Sequence, residues 1–132
     1  MEEAVGVENT ARASAKKLMY VNRRAPYGTG YALEGLEAAL AGAAFEQDVS
    51  IVFLDDGVFL VKKGQDTADA GIKNFSLMYR ALKTYDVEKL YVEKESMEQR
   101  GLTLDDLLVA ANLVSQTELV ELIEQQDVIL NF

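Results

Sequence analysis

The sequence predicts an α/β domain: an open, mostly parallel five-stranded sheet with helices on both faces. Three observations lead there. Five short apolar runs, bounded by turn-forming or charged residues, alternate with segments of helical apolar period. One run, residues 49–54, is nearly continuous in apolar residues, the pattern of a strand covered on both faces. Finally, 132 residues, 49% of them hydrophobic, make one domain's length and enough surface for a single core.

The elements follow in order. Residues 1–16 read as a flexible N-terminal tail, with Gly6, Asn9, Thr10 and Ser14 set among alanines and charges, and residues 17–132 as the domain. Leu18-Met19-Tyr20-Val21 is the first strand, closed by Asn22-Arg23-Arg24-Ala25-Pro26-Tyr27-Gly28, in which Pro26 and Gly28 force a loop. Residues 31–45 form a helix with Thr29 as N-cap. Its Leu33, Leu36 and Leu40 make an apolar stripe, and Gly35, Ala39 and Gly42 make a small-residue strip that lets the backbone sit close to a sheet or another helix. Residues 49–54 are the second strand, ended by Asp55-Asp56-Gly57. Val58-Phe59-Leu60-Val61 fits a short helix or a strand equally, and residues 62–73 read as a polar surface loop.

Asn74 caps a second helix, with Phe75, Met78, Tyr79, Leu82 and Tyr85 at i, i+3, i+4, i+7 and i+10, and Asp86 breaks it. Lys89-Leu90-Tyr91-Val92 is the third strand. Residues 96–101 read as one helical turn with Gly101 as its C-cap. Residues 104–114 are open between two readings. Thr103 with Asp106 matches a capping box, while residues 107–111 match a buried strand; the alternation favours the strand. Ser115 with Glu118 is a better capping box, opening a helix whose stripe is Leu119, Leu122 and Ile123. Asp127-Val128-Ile129-Leu130-Asn131-Phe132 is the closing strand.

Composition removes much of the enzyme repertoire. Without cysteine there are no disulfides, thiolate metal sites or cysteine nucleophiles; without histidine there is no His-based acid/base catalysis. A net charge of −9 argues against a nucleic-acid partner, which needs a basic face. Residues 1–92 carry 11 basic and 13 acidic side chains, residues 93–132 carry 2 and 9. That acidic stretch reads as a solvated face or as a patch that orients a basic partner. No run approaches a membrane span and the start has neither basic n-region nor apolar h-region, so the expected location is cytoplasmic.

Few motifs carry chemistry. Gly28-Thr29-Gly30 follows a strand and opens a helix, as a dinucleotide loop would, but the fingerprint needs glycine where Leu33 stands; it reads as a tight turn. Asp55 and Asp56 sit at a strand's carboxyl end, where open α/β sheets bind ligands and where paired carboxylates can hold Mg²⁺. Neighbours at a strand end point opposite ways, so a polar turn is the simpler reading. Arg23 and Arg24 flank the same edge and suit an anionic group or a solvated loop. Tyr79 and Tyr85 read as core or interface residues rather than catalytic ones.

The strings Ala25-Pro26-Tyr27-Gly28-Thr29 and Glu34-Gly35-Leu36-Glu37-Ala38 resemble the opening of the DsrF/TusC family, among the DsrE/DsrF/DsrH-like proteins of intracellular sulfur transfer. The resemblance continues through Phe53-Leu54-Asp55-Asp56-Gly57-Val58-Phe59, Tyr85-Asp86-Val87-Glu88, Glu98-Gln99-Arg100-Gly101-Leu102 and the closing strand, covering residues 17–132. Gly64-Gln65-Asp66-Thr67 and Gly71-Ile72-Lys73-Asn74-Phe75-Ser76 are more similar to the DsrF branch than to TusC. The resemblance implies a flavodoxin-like domain and assembly with DsrE-like and DsrH-like subunits into a hetero-hexamer holding two of each. It also implies passage of sulfane sulfur, as a cysteine persulfide, to a DsrC-like carrier in sulfur oxidation. The same role in a tRNA 2-thiouridine relay is the TusC-like alternative, and a stand-alone nucleotide-binding enzyme on Gly28–Gly30 is the alternative of another class. In such complexes the accepting cysteine lies on another subunit, so no catalytic, cofactor-binding or metal residue carries over to this cysteine-free chain and no cofactor is expected.

Overall fold

The computed structural model describes residues 15–25, 31–62, 75–107 and 109–132. Residues 1–14 of the tail, Pro26 and the Gly28-Thr29-Gly30 turn, residues 63–73 of the polar loop, the Asn74 cap and the side chains of Leu33, Phe75, Met78 and Tyr79 lie outside the described residues. In chain order the elements are β1 (Lys17–Asn22), α1 (Tyr31–Ala44), β2 (Asp48–Phe53), a 3-10 helix (Asp55–Val61), α2 (Phe75–Thr84), β3 (Lys89–Glu93), α3 (Lys94–Gln99), a 3-10 turn (Leu104–Asp106), β4 (Asn112–Val114), α4 (Gln116–Glu124) and β5 (Val128–Asn131).

All four strand pairs are parallel, in the order β4-β3-β2-β1-β5. This is the expected flavodoxin-like layering, with the one reversal of direction at the last strand. The steps from β1 to β4 all run one way, and right-handed crossovers put their helices on one face. The step from β4 back to β5 puts α4 on the other.

The buried side chains divide accordingly. Tyr20, Ile51, Phe53, Leu90 and Val92 pack with Leu36 and Ala39 of α1, Leu82 of α2 and Met97 of α3. Met19, Val21, Val52 and Val114 pack with Leu119 of α4, with Leu122 and Ile123 alongside. Between them these account for the near-continuous apolar run of β2, in which every residue from Val49 to Phe53 is buried. Nine residues of α4 cannot cover a whole face. Val128, Ile129 and Leu130 on edge strand β5, and Leu113 on edge strand β4, remain between 37% and 39% exposed. No helix among the described residues is long and apolar enough to cross a membrane.

The glycine strip of α1 is a close-approach surface. A Cβ on Gly35 would lie 2.7 Å from Asn22 Oδ1, and one on Gly42 would lie 2.7 Å from the Tyr20 hydroxyl. Tyr20 also stacks on Phe132, ring centres 6.2 Å apart. Its burial raises the phenol pKa above the ordinary 10.0. Stability from this group is fully present below pH 10. It falls as pH rises from there through the folded value, because the unfolded chain releases the proton first. Melting curves between pH 8 and about 11 should therefore flatten in Tyr20→Phe relative to the parent. Identical pH slopes for the two proteins would refute this.

One stretch departs from the sequence expectation, and one left open is decided by the structure. Among residues 107–111, expected as a strand, the described ones form none. The Thr103/Asp106 capping box does form and opens the short 3-10 turn. Leu107 then buries itself through a single antiparallel bridge to Lys62. The strand comes later, at Asn112–Val114, paired with Tyr91–Glu93. It ends there because Ser115 caps α4, its hydroxyl accepting from Glu118 N–H at 3.1 Å. Residues 58–61, open between helix and strand, belong to the seven-residue 3-10 helix, which buries Gly57, Val58, Leu60 and Val61. The Gly101 cap is as expected. Gly101 has φ +66°, its N–H donates to Glu98 O at 3.2 Å, and Leu102 N–H donates to Met97 O at 2.9 Å. The helix it closes starts at Lys94, two residues early, so β3 runs straight into it.

Candidate functional site

The carboxyl ends of β1, β2, β3 and β5 form the edge at which open parallel sheets bind ligands. Asp55 and Asp56 are there, but apart. Asp55 Oδ2 accepts from Arg23 Nε at 3.1 Å and Nη2 at 3.0 Å, linking the ends of β1 and β2. Asp56 Oδ1 accepts from Arg100 Nε at 3.0 Å, linking the 3-10 helix to the end of α3. Each carboxylate has its own arginine, so the polar-turn reading holds and the two make no common ligand pair. Among the described residues no group of three or more carboxylates is placed to hold a metal ion.

Sequence reasoning missed the residues that lock this edge. Ser96 is buried, its Oγ accepts the Asp55 N–H at 2.8 Å and its hydroxyl donates to Glu93. Arg100 Nη1 donates to the Ser96 carbonyl at 3.2 Å. Asp55 sits at φ +51°, a conformation uncommon for a non-glycine residue, and its bonds to Ser96 and Arg23 hold it there. The only sequence signal was Glu93-x-x-Ser96, a capping pair in reversed order. Gly57 makes the tightest approach. A Cβ there would overlap the Asn22 carbonyl, so the 3-10 helix can lie on the end of β1 only with glycine at this position.

Beside this network Arg23, Arg24, Asn131 and Phe132 line a broad, open depression of about 420 Å³. Arg23 is already paired there with Asp55, in an exposed bridge of the kind worth about 0–1 kcal/mol. The edge is thus a charged, solvent-facing platform. The one hydroxyl set against a carboxylate here, Ser96 on Glu93, is buried and accepts the Asp55 N–H.

The model of the DsrE/DsrF-like family matches residues 16–132. The chain belongs to this family. Among its relatives, "Intracellular sulfur oxidation protein DsrF" of Allochromatium vinosum is 56% identical over 103 residues, 78% of this chain and 76% of that one. A "Protein TusC homolog" of Vibrio vulnificus is 35% identical over 116 residues, covering 88% of this chain and 98% of the homologue. The higher identity to DsrF agrees with the branch indicated by residues 64–67 and 71–76. The crystal structure of the ychN protein from E. coli superposes with a TM-score of 0.76 over 89% of this chain and 99% of that one. At 24% identity it supports the family's fold and nothing finer.

Proposed function

We propose that this chain is a non-catalytic subunit of a DsrEFH-type sulfur-relay complex in sulfur oxidation. It would assemble with DsrE-like and DsrH-like subunits, two copies of each, and support persulfide transfer to a DsrC-like carrier. The observation that carries the reading is a cysteine count of zero in a chain 56% identical to DsrF. A persulfide needs a thiolate to carry it, so the sulfur must reside on another subunit. What remains to this chain is surface. The half-exposed apolar edge strands are what a partner would cover. The solvent-facing acids Glu98, Asp105, Glu118, Glu121 and Glu124 would orient a basic carrier. Glu93 is not among them, being engaged by Ser96.

The test is mass measurement on the assembled complex after incubation with a sulfane donor. Reducible increments of about 32 Da per sulfur atom are expected on the DsrE-like subunit and none on this chain. Sulfur delivery to the carrier should fail when this subunit is omitted. A reducible sulfur adduct on this chain, or failure to co-purify with the two paralogues, would overturn the reading. A TusC-like role in tRNA thiolation, favoured by the coverage of the TusC homologue, predicts the same mass result with a different acceptor downstream.

A further inference from the structure

The amino edge of the sheet, opposite the platform described above, carries a second constructed feature. The helices α1 and α2 end there in the same way. After Ala44, Glu46 N–H donates to Ala43 O at 3.0 Å and Gln47 N–H to Gly42 O at 3.1 Å. After Thr84, Asp86 N–H donates to Lys83 O at 3.0 Å and Val87 N–H to Leu82 O at 2.9 Å. Glu46 and Asp86 both take the left-handed conformation, φ +59° and +60°. These paired turns hold an aromatic residue outward at each helix end: Phe45 is 77% exposed and Tyr85 51%.

Between the turns lies a cleft of about 180 Å³, lined among others by Gln47, Asp48, Tyr85, Asp86, Glu88 and Lys89. Its lining has three carboxylates against one ammonium. Lys89 is spent on Asp48, with Nζ 2.8 and 2.9 Å from the two carboxylate oxygens. Asp86 and Glu88 have no cationic partner among the described residues. Cofactor pockets run to about 300–1,000 Å³, so the cleft is too small for one and has room for a single long side chain.

We infer that this cleft is a docking site for an arginine side chain presented, between apolar neighbours, by a partner protein. A guanidinium can stack on the Tyr85 ring while its fork reaches Asp86 and Glu88, which a compact ammonium does less well. The apolar neighbours then cover Phe45. The occupant is a different chain rather than a second copy. Each copy carries a net charge of −9, so two copies repel one another where a basic partner is drawn in. The site stands independently of the sulfur-relay reading.

The probe is the blocked tripeptide Leu-Arg-Leu, titrated into the full isotope-labelled chain and followed by amide and Tyr-ring NMR signals. Saturable shifts at Gln47, Tyr85, Asp86 and Glu88 are expected. Binding should weaken about three- to tenfold when citrulline replaces arginine, and equally in the Asp86→Asn, Glu88→Gln double variant. That variant should melt with the parent, since asparagine suits the left-handed position. Shifts that are absent, that fall elsewhere, or that are the same with citrulline overturn the site. Arg12 precedes Lys16, whose N–H donates to Gln47 Oε1 at 2.8 Å. If Arg12→Gln alone moves the Tyr85 and Asp86 signals without peptide, the chain's own tail is the occupant and the partner proposal falls.

Discussion

Gly57→Ala is expected to cost about 3 kcal/mol or more, the largest loss for an added methyl group among the described glycines. The new Cβ meets backbone rather than a movable side chain: the Asn22 carbonyl, with Arg23 N 3.1 Å away. The 3-10 helix would have to lift from β1. That breaks the Leu54 N–H bond to Asn22 O at 3.1 Å and pulls Asp55 from both Arg23 and Ser96. Chemical denaturation should read the loss directly, with Gly101→Ala as the comparison. At Gly101 a Cβ meets nothing within 4 Å, so the cost comes from φ +66° alone and stays near 1 kcal/mol. A Gly57→Ala protein as stable as the parent would show that the 3-10 helix does not press on β1 as described.

Phe53→Ala is the second large effect, expected at about 3–5 kcal/mol. Phe53 is the last residue of β2, fully buried in the core that the sheet shares with α1, the 3-10 helix and α3. Truncation leaves a cavity directly under the Asp55 turn, so local order at the carboxyl edge should fall with global stability. Hydrogen exchange at Asp55, whose N–H donates to Ser96, would report the local part. Phe53→Leu, which keeps most of the volume, should cost under about 1.5 kcal/mol. If leucine costs as much as alanine, packing volume is not what Phe53 contributes.

What the sequence made legible was governed by local chemistry. The apolar runs at β1, β2 and β3 and the stripe of α4 were readable because burial on a fixed period leaves a mark in one dimension. The caps at Ser115 and Gly101 were readable because a hydroxyl or a left-handed residue acts within a few positions. The α1 glycine strip was readable as a surface for close approach, though not that Asn22, Phe132 and Tyr20 are what it approaches.

Residues 104–114 failed for the opposite reason. Leu107 is buried by a bridge to Lys62, 45 residues away, and β4 is placed by β3 and by the start of α4, so no local period marks it. The closing run Val128-Ile129-Leu130 reads as a strand, but its place at the sheet edge is not legible, because strand order is a property of the whole sheet. At the candidate site, Asp55, Asp56 and Arg23 were visible as charges at a strand end. Ser96 and Arg100, which decide where those charges point, were not. The outward Phe45 and Tyr85 were hidden too, since an aromatic at a helix end counts equally well as the last core residue.

The late reversal in strand order has a kinetic meaning. β1, β2, β3 and β4 can add one to the next, each closing a loop of a few dozen residues. β5 alone must return across the finished sheet, and its pairing brings Lys17 and Asp127, 110 positions apart, into hydrogen-bond contact. Loop-closure entropy makes such a contact the slow one to form. On a ribosome, the β5 side of β1, with Met19, Tyr20 and Val21, stays uncovered until synthesis has passed residue 131. During that interval β1 is a bare apolar edge, open to any strand that reaches it before β5 does.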